Sequence, residues 1–222
     1  MKKINFVSIN SKFIHTNPAV YYLKAYSELN GGEGNVAISE FTINNPVSDI
    51  ISELYRCKPS QIAFSCYIWN YRIIKEVVSD IHKLLPDTDI WLGGPEVSYS
   101  CEKVISELPF IKGIMIGEGE ITFAELVNHY YNNGLSLEEI NGLFIPSNNP
   151  QYTAKRELID FNQVPFPYSD LSVFENKIIY YESSRGCPFR CSYCLSSIDK
   201  RLRIRSLDLV KKELQTFLDG NV

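Results

Sequence analysis

Gln61-Ile62-Ala63-Phe64-Ser65-Cys66-Tyr67 is a short, nearly continuous apolar run, and the segment after it changes period. From 71 to 85 the apolar residues Ile73, Ile74, Val77, Val78, Ile81, Leu84 and Leu85 recur at the three-to-four spacing of one helix face. A strand followed at once by a long helix is the repeating unit of the first 145 residues. Downstream, 89–92 (DIWL) is a strand ending in Gly93-Gly94-Pro95, and 99–108 is helical. Next, 113–116 (GIMI) is a strand ending in Gly117-Glu118-Gly119-Glu120, and 121–131 is a helix. Upstream, 3–9 (KINFVSI) and 35–41 read as strands. Residues 18–29 and 46–56 read as helices, with Pro18 suited to a first turn.

Five strand–helix units in succession predict a parallel sheet covered by helices on both faces, because right-handed crossovers bury each strand twice. The fold class expected is α/β, a flavodoxin-like (Rossmann-like) doubly wound parallel sheet. Ligands of such sheets bind beyond the carboxyl ends of the strands, where strand order reverses. Those ends carry Asn10 through His15, Ser65 with Tyr67 and Trp69, Gly93-Gly94-Pro95-Glu96 and Gly117-Glu118-Gly119-Glu120. Glycine admits close backbone approach, and Tyr or Trp at a strand end can pack on a flat or large ligand. Tight strand-to-helix turns also need Gly and Pro, so either glycine loop alone has a purely structural explanation. Aromatic and small residues at several adjacent strand ends favour a site. Asn10, His15, Ser65, Tyr67, Trp69, Gly93, Gly94, Pro95, Glu96, Gly117, Glu118, Gly119 and Glu120 are its candidate binding residues.

The 222 residues are 45% hydrophobic and 22% charged, the balance of an ordinary globular chain rather than a disordered one. A net charge of −4 argues against a general attraction for nucleic acid. No apolar run approaches the roughly 20 residues that cross a bilayer. The start, Met1-Lys2-Lys3-Ile4-Asn5-Phe6, is too short and polar for a secretory signal. A cytoplasmic protein with no membrane partner is expected.

Residues 146–176, with Pro146, Pro150, Pro165 and Pro167, read as an extended linker, and its aromatics suit packing along a surface. A strand is expected at 177–182 (KIIYYE), and a helix at 206–218 with Ser206 as its N-cap. Between them, 185–212 gathers Arg185, Arg190, Lys200, Arg201, Arg203, Arg205, Lys211 and Lys212. Such a run is either solvated charge or a face turned to a negative partner, cofactor or substrate. Of the six cysteines, Cys57, Cys66 and Cys101 lie apart and are expected to be buried as small hydrophobes. The other three, in Cys187-Pro188-Phe189-Arg190-Cys191-Ser192-Tyr193-Cys194, are spaced C-x3-C-x2-C. Three thiolates in one compact loop can reach a single soft metal centre. Zinc would need a fourth ligand near by, whereas a four-iron cluster with three protein ligands keeps one iron open. Zinc, a disulfide or unrelated thiols are the other readings.

The C-x3-C-x2-C spacing, with Tyr193 before the last cysteine, resembles the signature of the radical S-adenosylmethionine (SAM) superfamily over about residues 177–218. That resemblance implies that Cys187, Cys191 and Cys194 hold a [4Fe-4S] cluster. It further implies that the open iron binds S-adenosylmethionine, which is reductively cleaved to a 5′-deoxyadenosyl radical, and that Tyr193 packs near the adenine. Leu92-Gly93-Gly94-Pro95-Glu96, Ile116-Gly117-Glu118-Gly119-Glu120 and the domain order resemble the cobalamin-binding domain that precedes the radical domain in one branch of that superfamily. The implied organisation is a cobalamin-type domain at 1–145, a linker at 146–176 and the start of a radical SAM domain at 177–222. The implied activity is cobalamin-assisted methyl transfer to an unactivated carbon or a related radical rearrangement, with an electron donor such as a flavodoxin or ferredoxin. Its substrate, small or macromolecular, is not readable.

Two departures stand out. The Asp-x-His-x-x-Gly pattern that carries a cobalt ligand in other cobalamin domains is missing. The corresponding stretch is Asn10-Ser11-Lys12-Phe13-Ile14-His15-Thr16-Asn17. His15 could serve as a ligand, although a lone histidine in a polar turn is more often a surface or hydrogen-bonding residue. A radical SAM barrel of this family has six strand–helix units, and only one precedes Val222, so a fragment of a longer protein is expected. The alternative function is a substrate- or partner-binding module without cobalamin.

Overall fold

A computed structural model describes residues 3–146, 150–197 and 201–220. Lys200 of the basic run and positions 147–149 of the linker lie outside the described residues. Four strand–helix pairs follow the expected order: β1 (Ile4–Asn10) with α1 (Pro18–Ser27), β2 (Val36–Thr42) with α2 (Val47–Cys57), β3 (Gln61–Ser65) with α3 (Tyr71–Leu84), and β4 (Asp89–Gly93) with α4 (Cys101–Glu107). A fifth is β5 (Gly113–Met115) with α5 (Glu120–Tyr131). The sheet is completed by β6 (Leu143–Ile145) and β7 (Gln151–Tyr152), giving the order β2-β1-β3-β4-β5-β6-β7. β1 to β5 are parallel, as expected, and the last two strands are antiparallel. Mixed sheets of this kind, parallel with an antiparallel edge, are common among doubly wound folds.

Alternation along each strand divides the core into two layers. Val7, Ile9, Ile62, Phe64, Ile90, Leu92 and Ile114 face Ile50 and Leu54 of α2, the Ile73–Ile81 stripe of α3 and Val104 of α4. Ile4, Phe6, Ala63, Trp91 and Met115 face Val20 of α1 and Phe123, Leu126 and Val127 of α5. The inner strands β1, β3, β4 and β5 are buried on both faces, which is why their sequences are mostly apolar rather than strictly alternating, while β2 is largely half-buried and β7 is exposed. Helix α1 begins where Asn17 caps it, its Oδ1 accepting from the Ala19 N–H at 3.2 Å, with Pro18 at the first position.

Three expectations need correction. Residues 177–182 form no strand. Ile178 makes an isolated parallel bridge with His15, its N–H donating to the Ile14 carbonyl at 2.7 Å. Ordered strands come later, as β8 (Ser184–Arg185) and β9 (Arg203–Ile204), paired antiparallel. An apolar run signals burial, and here Tyr180 and Tyr181 use hydrogen bonds to other elements rather than a ladder. Within the expected linker, β7 joins the main sheet, and Ile159, Phe161 and Val164 pack with Tyr22 of α1. Cys57, expected to be buried, is exposed at the last position of α2. The final helix, α6 (Leu207–Asp219), is capped by Ser206 as expected, Oγ accepting from the Leu209 N–H at 3.4 Å.

The turn after β4 depends on Gly94. Its φ is +105°, and a Cβ there would lie 2.6 Å from the Cys66 carbonyl oxygen. Gly94→Ala is expected to destabilise the chain by about 2–3 kcal/mol through backbone strain and overlap, read as a lower midpoint in urea denaturation.

Candidate functional site

Strand order reverses between β1 and its neighbours β2 and β3, and the chain has a cleft at that point. Ile9, Asn10 and Ser11 at the end of β1, His15 to Pro18 leading into α1, Tyr67 and Trp69 after β3, and Tyr180 line about 290 Å³. Asn70 ties the two strand ends together. Its buried side chain donates to the Ile9 carbonyl at 3.0 Å and the Ser65 carbonyl at 2.9 Å, and its Oδ1 accepts from the Tyr67 N–H at 2.8 Å. Asn17 adds a second tie, donating to Ser65 Oγ at 2.9 Å. With both ends fixed, Tyr67 and Trp69 stack in parallel, 4.4 Å between centroids and 7° between planes. Trp69 remains 48% exposed, so the pair offers a flat aromatic surface to a ligand.

Asn10, on the cleft wall, is held by a chain of fixed groups behind it. Ser8 Oγ donates to Asn10 Oδ1 at 2.7 Å, and Asn10 Nδ2 donates to Glu40 at 3.1 Å. Glu40 also accepts from Tyr21 at 2.7 Å and pairs with Lys177 at 2.8 Å. Burial and the neighbouring Glu40 carboxylate push the Tyr21 hydroxyl well above its ordinary range, so it stays protonated. Tyr180 closes one wall, its hydroxyl 2.5 Å from His15 Nδ1. This contact occupies one ring nitrogen of His15 and leaves Nε2 as the atom available to a metal or ligand.

Asn10, His15, Tyr67 and Trp69 of the sequence-derived set are thus brought together, with Ser65 buried just beneath them. The remaining members sit at the next strand ends. Gly93 ends β4, and Gly94 to Glu96 begin the turn after it. Gly117, after β5, has φ +79° and open space where a side chain would be, which suits close approach by a ligand. Gly119 is the N-cap of α5, and a Cβ there would meet Leu23 at 2.9 Å. Glu118 and Glu120 are engaged by arginine: Glu118 by Arg203 and Arg185, and Glu120 by Arg185 at 2.6 Å. Together with Arg205, these arginines show that part of the basic run faces carboxylates of its own chain. The set of candidate binding residues omitted Thr16, Asn17, Asn70 and Tyr180. The Asn17-Pro18 cap was a usable local signal. Tyr180 had none, since it reaches the cleft from 165 positions beyond His15.

Cys187, Cys191 and Cys194 lie in the loop between β8 and β9. Cys191 is exposed, the other two are half-buried, and the Cys194 N–H donates to the Cys191 carbonyl at 3.2 Å. Three soft donors on an open loop suit an iron–sulfur centre by chemistry. Among the described residues, no group of three or more His, Cys, Asp or Glu side chains is already drawn together around a metal position. Tyr193 is 91% exposed. Elsewhere, burial pushes the Cys66 thiol far up and the Cys101 thiol to about 11, so neither is a ready thiolate at neutral pH. Iodoacetamide is therefore expected to modify Cys57, Cys187, Cys191 and Cys194 in the folded metal-free chain and to spare Cys66 and Cys101, with intact mass and peptide mapping as the check. No helix among the described residues is long and apolar enough to cross a membrane.

Comparison with known proteins agrees with this architecture. An uncharacterized methyltransferase of Pyrococcus horikoshii is 35% identical over 133 residues, covering 55% of this chain and 29% of its own length. The cobalamin-dependent radical SAM methyltransferase TokK of Streptomyces tokunonensis is 28% identical over 153 residues, covering 62% of this chain and 22% of its own. The chain thus spans less than a third of the length of these relatives. Among solved structures, the cobalamin-dependent S-adenosylmethionine radical enzyme OxsB, with aqua-cobalamin and S-adenosylmethionine bound, superposes with a TM-score of 0.78 at 22% identity. That match covers 97% of this chain and 31% of OxsB, and it shows a shared fold. Residues 4–127, more than half of the chain, match the B12 binding domain model, and the chain belongs to that family of cobalamin-binding domains, with homologues among cobalamin-dependent radical SAM methyltransferases.

Proposed function

We propose that this chain binds cobalamin at the carboxyl ends of β1 and β3 and, through Cys187, Cys191 and Cys194, a [4Fe-4S] cluster whose open iron takes S-adenosylmethionine. It would be the front part of an enzyme that methylates or rearranges an unactivated carbon. Bound, these groups supply reductive sulfonium cleavage and methyl carriage. The chain's own residues bind, orient and shield. Tyr67 and Trp69 provide an aromatic platform, Asn10 and His15 provide polar contacts, and Asn70 keeps both strand ends at fixed spacing. The segment through Tyr180 covers one side of the cleft. Cys187 follows Tyr180 by seven positions, so the first thiol starts within about 25 Å of the cleft wall even if the chain between were fully extended. An electron donor of the flavodoxin or ferredoxin type completes the scheme, and the methyl acceptor is a small molecule or a macromolecule.

The observation that carries the reading is the cleft at the strand-order reversal, lined by an exposed stacked Tyr–Trp pair, in a chain with the B12-binding family's fold. The test is titration of the purified chain with hydroxocobalamin, followed by absorbance after gel filtration. A co-eluting cobalamin spectrum is expected, and Trp69→Ala is expected to weaken binding about tenfold, the equivalent of ~1.4 kcal/mol. Elution of the chain free of cobalamin at every concentration would leave the binding-module reading in its place.

A further inference from the structure

We propose that Glu118, in the loop after β5, is a positioning residue for the three-cysteine loop: it neutralises two arginines that face each other across that loop's base. The proposal deepens the reading of the cysteines as cluster ligands and rests on it for its consequence, though not for its geometry. All three cysteines lie between β8 and β9, so the β8–β9 ladder is what closes the loop. In that ladder Arg185 is directly opposite Arg203, and Ser184 is opposite Ile204. Like charges directly opposite on paired strands repel. A two-residue ladder with two guanidinium groups abreast is a poor closure by itself.

A carboxylate shared by the two arginines comes from the cobalamin-type domain. Glu118 accepts two hydrogen bonds from Arg203, with Nη1 at 3.0 Å and Nη2 closer still, and lies 3.8 Å from Arg185 Nη1. Among the described contacts, Glu118 is the acid within 4 Å of both cations. Arg185 has further partners, Glu120 at 2.6 Å and Glu182 at 2.9 Å, and stacks over Phe161. Arg203 also donates to the Ile159 carbonyl at 2.9 Å. The side chains of Arg185, Arg203 and Glu118 are between 13% and 22% exposed, so water screens the triad only partly. Glu118 also follows Gly117, which lies just past the carboxyl end of β5 and has open space where a side chain would be. One short loop thus borders the candidate cofactor face and holds shut the base of the cysteine loop.

The test uses the full chain with Glu118→Gln, which keeps shape and removes charge, and Glu138→Gln on an exposed turn as control. Hydrogen exchange on the metal-free protein reads the ladder directly, including the Arg205 N–H that donates to the Ser183 carbonyl at 2.9 Å. Exchange in peptides covering 183–186 and 203–205 is expected to rise at least tenfold in Glu118→Gln, with β1, β3 and β4 unchanged. In an Arg203→Gln background, where the opposed charge is gone, the same substitution is expected to change exchange less than threefold. After anaerobic reconstitution, iron loss to a chelator is expected to be about tenfold faster in Glu118→Gln than in either the wild type or the control. Unaltered ladder exchange in Glu118→Gln, or an equal effect in the Arg203→Gln background, would overturn the proposal. A wild-type chain that takes up no iron would instead defeat the cluster reading, and the exchange comparison would still decide the role of Glu118. Should Glu118→Gln fail to fold, Arg203→Gln alone must tighten the ladder or leave it unchanged; loosening it would count against the proposal.

Discussion

Arg205→Ala is expected to destabilise the chain by about 3–5 kcal/mol, the usual consequence of removing one partner from a buried ion pair. Arg205 is only 3% exposed and uses its whole guanidinium. Nε and Nη2 meet the Glu213 carboxylate of α6 at 2.8 and 2.5 Å, while Nη1 donates to the Phe161 carbonyl and Nη2 to the Val164 carbonyl, each at 2.7 Å. Tyr181 donates to the same carboxylate at 2.7 Å. One side chain thereby joins α6, the segment around 161–164 and the end of β9. The alanine variant leaves the Glu213 carboxylate buried without its cation and two carbonyls without a donor. Urea denaturation followed by circular dichroism should show the loss. Arg205→Met combined with Glu213→Leu should recover part of it, since an apolar pair of similar volume removes both charges at once while the two carbonyls stay without their donor. A midpoint for Arg205→Ala within 1 kcal/mol of wild type would contradict this account.

Cys187→Ala, Cys191→Ala and Cys194→Ala are each expected to reduce iron after anaerobic reconstitution from about four per chain to below one. A four-iron cluster held by three thiolates has no spare protein ligand, so two remaining donors give a labile centre. Cys57→Ala removes a thiol that is exposed on α2 and should leave iron content unchanged. Iron and sulfide assays with the charge-transfer absorbance of the cluster distinguish these outcomes. Equal iron in all four variants would mean that the metal is bound adventitiously.

The parts of the fold that were legible are those governed by local periodicity. Ile73, Ile74, Val77, Val78 and Ile81 specified α3 because their spacing matches a helix turn, and the same residues form one layer of the core. The continuous run at 61–65 specified a strand covered on both faces. The run at 177–182 misled for a related reason: apolar composition reports burial, not ladder formation, and Tyr180 is used at a cleft wall. The site was legible in part. Strand-end residues Asn10, Tyr67 and Trp69 could be placed together by the general rule for doubly wound sheets. The locking role of Asn70 at the same strand end was not legible, because its partners Ile9 and Ser65 come from two different strands.

By itself the sequence determined the strand–helix alternation, the strand ends as the candidate rim for a ligand, and the C-x3-C-x2-C thiol spacing, all of which depend on residues within a few positions of one another. Tertiary structure decided which charges meet. Glu118 and Glu120 read as ligand contacts, yet they face Arg185 and Arg203 from the far end of the chain. Arg205 read either as solvated charge or as part of a face turned to a negative partner, and it is sealed against Glu213 of its own chain. The physical reason is range: backbone periodicity is set by neighbours along the chain, whereas the partner that neutralises a charge or satisfies a buried amide is chosen by whatever the completed fold places beside it.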